Sequence, residues 1–301
     1  MIPFDLVSLD LLVDIADAGT LTAGAVQGNM TPSAASQRIA RLERSVGQPL
    51  FERLPRGIRL TEAGLVLATR ARVIRRELKA AVGDLQALEA LERGSVRLGS
   101  FPTASASFLS DALKDAHRTW PGIDITVRSA LRPELLDMLD AGEIEMAILW
   151  DYDWTEETAT SLTLAPLTVD ETVLLVPAES ALQDGVTVRS LGDEHWVTRN
   201  GGHPAAEILA RSCAAAGIVP RIAYAAYDYQ EVQAMVAARM GIAMVPRLAI
   251  ATHRPDVRIV AFGPAENIPA RRIHLAWPAR RTPTPSMRAL ADVVTRAARL
   301  H

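Results

Sequence analysis

Leu67, Ala71, Ile74, Leu78, Ala81, Leu85 and Leu88 alternate spacings of four and three. That is a heptad seam held over three repeats, on a helix expected to span 62–92. A stripe this narrow on a helix this long needs a covering helix. The cover is either a second copy of the chain or a helix of the chain's own neighbouring domain. Either way, the segment divides an N-terminal part of the chain from a C-terminal one. Residues 1–61 read as short helices with a basic end. From Gly94 onward, strand-like and helix-like stretches alternate, which is α/β patterning.

The formal net charge of −3 excludes a uniformly basic nucleic-acid binder. The distribution of charge leaves a local one open. Residues 1–29 carry Asp5, Asp10, Asp14 and Asp17 and no Arg or Lys, whereas 30–61 carry six Arg against Glu43 and Glu52. A basic segment inside a near-neutral chain can be a phosphate footprint. Cys213, the single cysteine, excludes an internal disulfide framework and reads as a small core residue among alanines. No stretch reaches the ~18 apolar residues of a membrane span. The acidic N-terminus does not resemble a signal peptide. A cytoplasmic protein without membrane contact is expected. No Gly-x-Ser-x-Gly, phosphate loop, His-Glu-x-x-His or metal constellation stands out, so no enzyme, cofactor or metal site is expected. Glu143 and Glu145 are expected to be solvated.

Leu6, Leu9, Leu12, Val13 and Ala16 share one face of a first helix, which Gly19 stops. Thr22 can cap a second helix. Gly28-Asn29 turns the chain, and Thr31 or Ser33 can cap a third helix reaching Val46. Ala35, Ile39, Leu42 and Val46 face inward. Pro32, Ser33, Ser36, Gln37, Arg38 and Arg41 lie elsewhere on that helix, as a DNA-reading helix requires. Arg56-Gly57 suits a hairpin turn that would set Arg53, Arg56 and Arg59 on a small wing. Arg59 pairing with Glu62 is an alternative use of that residue.

Five pieces occur in fixed order: Thr22-Ala23-Gly24-Ala25, Thr31 through Ile39, Leu42-Glu43, Pro49 through Arg53, and Leu60 through Gly64. Their order and spacing resemble the LysR-type transcriptional regulators. Gly94–Gly99, Ala141–Ile148 and Met235–Pro246 extend the likeness over nearly the whole chain. Gly24, Gly28 and Met30 depart from the family's usual Ala, Leu and aliphatic residue. The resemblance implies a winged helix-turn-helix over 4–61, a linker and dimerisation helix over 62–92, and a two-lobed α/β periplasmic-binding-protein-like effector domain over 93–301. Lobe one would take 93–165 and 268–301, and lobe two 166–267. Implied partners are a double-stranded DNA operator, a small-molecule effector, and further copies in a homodimer or homotetramer. Implied DNA contacts are Pro32, Ser33, Ser36, Gln37, Arg38, Arg53 and Arg56. Ser36 and Arg53 suit phosphates; Gln37 or Ser33 suits base edges.

Ligands of such folds sit at strand C-terminal ends. Applied to the expected strands, that rule selects Ser100, Phe101, Thr103, Ser129, Arg132, Trp150, Asp151, Thr198, Arg199, His203, Tyr227 and Tyr229. Each has a plainer use as cap, core or surface residue. Together they suit a small anionic or aromatic metabolite. The competing function is a small-molecule binding protein or enzyme whose degenerate N-terminal domain serves only dimerisation.

Overall fold

The computed structural model describes residues 4–53, 57–87, 94–155, 161–200 and 202–300, and its contacts divide into an N-terminal and a C-terminal unit.

In the N-terminal unit, Asp5 caps α1 (Leu6–Ala18) by accepting the Ser8 N–H at 2.9 Å. Thr20, in extended backbone, starts α2 (Leu21–Gln27) by accepting from Ala23 N–H at 3.2 Å. The expected cap, Thr22, therefore lies inside the helix; the chain is already extended when it leaves Gly19. Thr31 caps α3 (Pro32–Val46), with Pro32 in the first turn, where its missing N–H costs nothing. Leu11, Leu12, Ile15, Ala35, Ile39 and Leu42 form the shared core. Burying each large aliphatic side chain there contributes roughly 1.5–3 kcal/mol. A Cβ on Gly24 would stand 2.5 Å from Ile15 Cα, so α2 meets α1 backbone against backbone and only glycine fits.

The wing pairs β1 (Phe51–Arg53) with β2 (Ile58–Leu60). Glu43 fixes its approach by accepting the Leu50 N–H at 2.8 Å. Arg59 pairs with Glu52 at 2.8 Å, not with Glu62, because Glu52 is its direct cross-strand neighbour. Thr61 accepts the Gly64 N–H at 3.0 Å and opens α4 (Glu62–Ala87).

The seam of α4 divides. Ala71 is buried against Leu9 and Val13 of α1, with Leu67 and Ile74 beside them. A helix of the same unit thus covers the first half. Leu78 is 45% exposed and Ala81 is exposed. Leu88 lies outside the described residues, and of Leu85 only the backbone is described. Arg75 binds Asp10 at 2.6 Å and Asp14 at 2.9 Å, and Arg72 binds Asp17 at 2.5 Å. The acidic character of residues 1–29 thereby sets the register of α1 on α4.

The C-terminal unit begins with β3 (Gly94–Ser100), α5 (Pro102–Ala104), a π turn (Ser105–Leu109) and α6 (Ser110–Thr119). The helical stretch that follows β3 breaks at Ser107 (φ −115°, ψ −117°), whose hydroxyl donates to the Thr103 carbonyl at 2.7 Å. Such a side-chain bond offers the backbone an alternative to the helical ladder. Next come β4 (Ile123–Ser129), α7 (Arg132–Asp140), β5 (Met146–Asp151), β6 (Leu162–Asp170) and β7 (Thr172–Pro177). The chain continues through β8 (His195–Arg199), α8 (Pro204–Ala216), β9 (Arg221–Ala226), α9 (Tyr229–Ala237), β10 (Ala243–Pro246) and β11 (Val257–Val260). It ends with β12 (Arg271–Pro278) and α10 (Pro285–Ala298).

Lobe one is built on a sheet of order β4-β3-β5-β12-β6, and lobe two on β10-β7-β11 with β8-β9. A Trp196–Ile242 bridge joins β8 to the segment leading into β10. Lobe two does not start at 166, where the resemblance would place it. Instead β6 pairs along β12 from Leu162 to Asp170, so the crossing follows Asp170. Glu145 is buried, not solvated; it accepts from Arg97 N–H at 3.0 Å and binds Arg281 at 2.6 Å. Cys213 is buried within α8.

Candidate functional site

Two surfaces gather the chemistry. On the N-terminal unit, α3 turns Ala35, Ile39 and Leu42 inward and exposes Pro32, Ser33, Ser36, Gln37 and Arg41. The side chains of Ser33, Ser36, Gln37 and Arg41 make no hydrogen bond or ion pair among the described residues. Arg38 differs: its guanidinium binds Asp5 at 2.9 Å, below the first turn of α1. The Ser8 hydroxyl and N–H, and then Arg38, lower the pKa of the Asp5 carboxyl. Arg53 ends β1, and Arg56 lies outside the described residues.

In the C-terminal unit, a cavity of about 870 Å³ opens between the lobes. Phe101, Thr103, Trp150, Arg199, His203, Tyr227 and Tyr229, all selected from the sequence, line it. Ser100 is fully buried beneath it, accepting from the Ser105 hydroxyl at 3.0 Å. Ser129, Arg132 and Thr198 are absent from its lining. Asp151 also stands aside; it binds Arg272 at 2.6 Å and His274 at 3.0 Å.

Sequence reasoning missed Tyr152, Gln233 and, above all, Arg271. Arg271 begins β12, and its side chain is only 5% exposed. It binds Asp170 at 2.6 Å and donates to the Thr103 hydroxyl at 2.6 Å. Asp170 also accepts the Leu248 N–H at 3.0 Å. The pair therefore ties both lobes together at the crossing. Sequence separation hides it, since Asp170 and Arg271 are 101 positions apart.

Opposite, the Arg199 guanidinium lies over the Tyr229 ring, 4.8 Å from its centroid. His203 meets the same ring edge-on at 6.0 Å. Burial, then Arg199 and Arg271, hold the His203 imidazole down at about 4, so it is neutral at pH 7. Trp154 stacks on Tyr152 at 4.8 Å, and Arg211 of lobe two covers Trp154 at 4.5 Å. No helix among the described residues is long and apolar enough to cross a membrane.

A helix-turn-helix with a wing, followed in the same chain by two lobes around a ligand-sized cavity, defines a DNA-binding regulator governed by a small molecule. Residues 6–65 match the bacterial regulatory helix-turn-helix protein model of the lysR family, and 89–299 match the LysR substrate binding domain. The chain belongs to the LysR family of transcriptional regulators. It is 27% identical over 249 residues to the hydrogen peroxide-inducible genes activator of Pectobacterium carotovorum, covering 82% of this chain and 81% of that protein. Among solved structures, a full-length cysteine-substituted OxyR from Pseudomonas aeruginosa matches with a TM-score of 0.73 at 20% identity, over 99% of this chain and 95% of that one. Full-length CbnR complexed with its target DNA matches at 0.66 and 19% identity, over 98% and 100%. At these identities the two structures speak to the fold alone.

Proposed function

We propose that the protein is a cytoplasmic, non-enzymatic regulator that binds a pseudo-palindromic operator as a homodimer or homotetramer. A small molecule between the lobes would change its grip on the DNA. The uncommitted outward face of α3 is the observation that carries this reading. Four polar side chains stand exposed there with no structural task, beside a wing locked in place by Glu43 and Thr61. In this reading Gln37 and Ser33 meet base edges, and Ser36, Arg41 and Arg53 meet phosphates. Arg38 serves the α1 cap first. The intact caps and core also argue against a degenerate N-terminal domain.

Gln37→Ala is expected to cost roughly 1–3 kcal/mol on the operator and to relax base preference locally, with the Tm unchanged. Anisotropy titrations on operator and point-substituted duplexes measure this. Unaltered affinity and preference would remove α3 from the reading role.

The exposed remainder of the α4 seam supports the oligomer. Leu78→Asp places a charge on it, and sedimentation should then show monomers. An unchanged mass would exclude this helix as the contact.

Peroxide sensing, by analogy with the Pectobacterium relative, finds little support. A thiol reacts as its thiolate, and burial pushes the Cys213 thiol up to about 11. The cavity is the better-supported sensor, provided its ligand favours one arrangement of the lobes over another.

A further inference from the structure

The cavity has two unlike walls. Lobe one supplies rings: Phe101 and Trp150, 4.7 Å apart and tilted by 53°, with Tyr152. Its nearby hydroxyls are already engaged, Thr103 by Arg271 and Ser100 by Ser105. Arg271 brings no net charge, because Asp170 neutralises it at 2.6 Å. In lobe two, Arg199 has no carboxylate partner among the described residues. Its Nε is buried without a hydrogen bond, and the Tyr229 hydroxyl is buried without one of good geometry. Asp228 also lines the cavity, but its carboxylate closes the first turn of α9 by accepting the Glu231 N–H at 2.8 Å.

We infer that the ligand is an aromatic monocarboxylate lying across the cleft, its carboxylate on Arg199 in lobe two and its ring on Phe101, Trp150 and Tyr152 in lobe one. Arg199 lacks a carboxylate partner among the described residues, whereas Asp228 is solvent-exposed and its charge is met by the N-terminus of α9. The unmet cation calls for one negative charge. Arg199 is half-buried, with its Nε out of solvent, and such a guanidinium gains from a planar carboxylate that takes two of its N–H groups. A second carboxylate would face aromatic carbon or an ion pair already closed. Because head and ring bind different lobes, such a ligand holds the lobes together. This inference rests on reading the cavity as the regulatory site.

The test uses the full-length protein. Benzoate, phenylacetate, 1-naphthoate and indole-3-acetate are titrated calorimetrically, each beside its primary amide, with phthalate as the dicarboxylate. At least one monocarboxylate should bind at least ten-fold tighter than its amide and than phthalate. Arg199→Gln should weaken it about 10- to 100-fold, as losing a charge-assisted hydrogen bond does. Arg199→Lys should recover part of the loss, and the ligand-free Tm of both variants should stay within a few degrees of wild type. Equal binding of amide and acid, undiminished binding by Arg199→Gln, or no binding by any monocarboxylate would overturn the inference. Repeating the titrations with operator DNA separates the two levels. A bound acid that leaves DNA affinity unchanged would overturn the regulatory reading alone. A neutral or dianionic compound that shifts DNA affinity through this cavity would overturn the ligand class alone.

Discussion

Asp170→Ala is expected to destabilise the two-lobed unit by about 3–5 kcal/mol, because Arg271 would be left buried and unpaired. The two side chains are 1% and 5% exposed, so water cannot replace the lost carboxylate. The change would also strip the Leu248 N–H of its acceptor and loosen the junction between lobes. Chemical denaturation of wild type and variant measures the cost. The double variant Asp170→Leu with Arg271→Met should recover most of it, since apolar replacement of a whole buried pair is often near neutral. A single variant as stable as wild type would mean that the pair does not hold the crossing.

The other large effect belongs to the DNA-binding unit. Gly64→Ala should cost about 3 kcal/mol, at the upper end of ordinary overpacking. A Cβ there would lie 2.0 Å from the Leu50 carbonyl oxygen, and the obstacle is backbone that cannot swing aside. Relief requires moving either the start of α4 or the strand that begins the wing, so operator affinity should fall together with the Tm. Gly28→Ala is the control. A Cβ there would make ordinary contacts, 3.5 Å from Leu11 and 3.6 Å from Asp14, and should change stability by less than about 1 kcal/mol. Melting curves and operator titrations of both variants decide the matter; equal effects would show that the Leu50 contact is not the constraint.

The features legible in the sequence were mostly local. The Thr31 cap, the inward face of α3 and the wing depend on residues within a few positions of one another, and their motif displays them directly. Glu43 holding Leu50, and Thr61 holding Pro49 and Gly64, give that motif its physical content. About a third of the cavity wall came from the rule that ligands meet strand C-termini, which found Phe101, Trp150 and Arg199 among others. The failures were non-local. Heptad spacing cannot say which helix covers a seam, and α1 takes the half containing Ala71. Pro166 speaks against a strand where β6 in fact runs. It lies in an edge strand where the pairing slips between Ile273 and His274, a place that tolerates proline. Nothing in chain order sets Arg271 apart from Arg272 and the arginines that follow it. Only the fold brings it to Asp170.

Operator recognition is the central claim, and fluorescence anisotropy tests it most directly. Purified full-length protein is titrated against duplex DNA from immediately upstream of its own gene and against a scrambled duplex, at two salt concentrations. Binding to the upstream DNA should be at least ~10³-fold tighter than to the scrambled duplex at physiological salt, and both should weaken as salt rises. Equal, salt-sensitive binding to both would contradict the claim and leave α3 and the wing as no more than a basic surface.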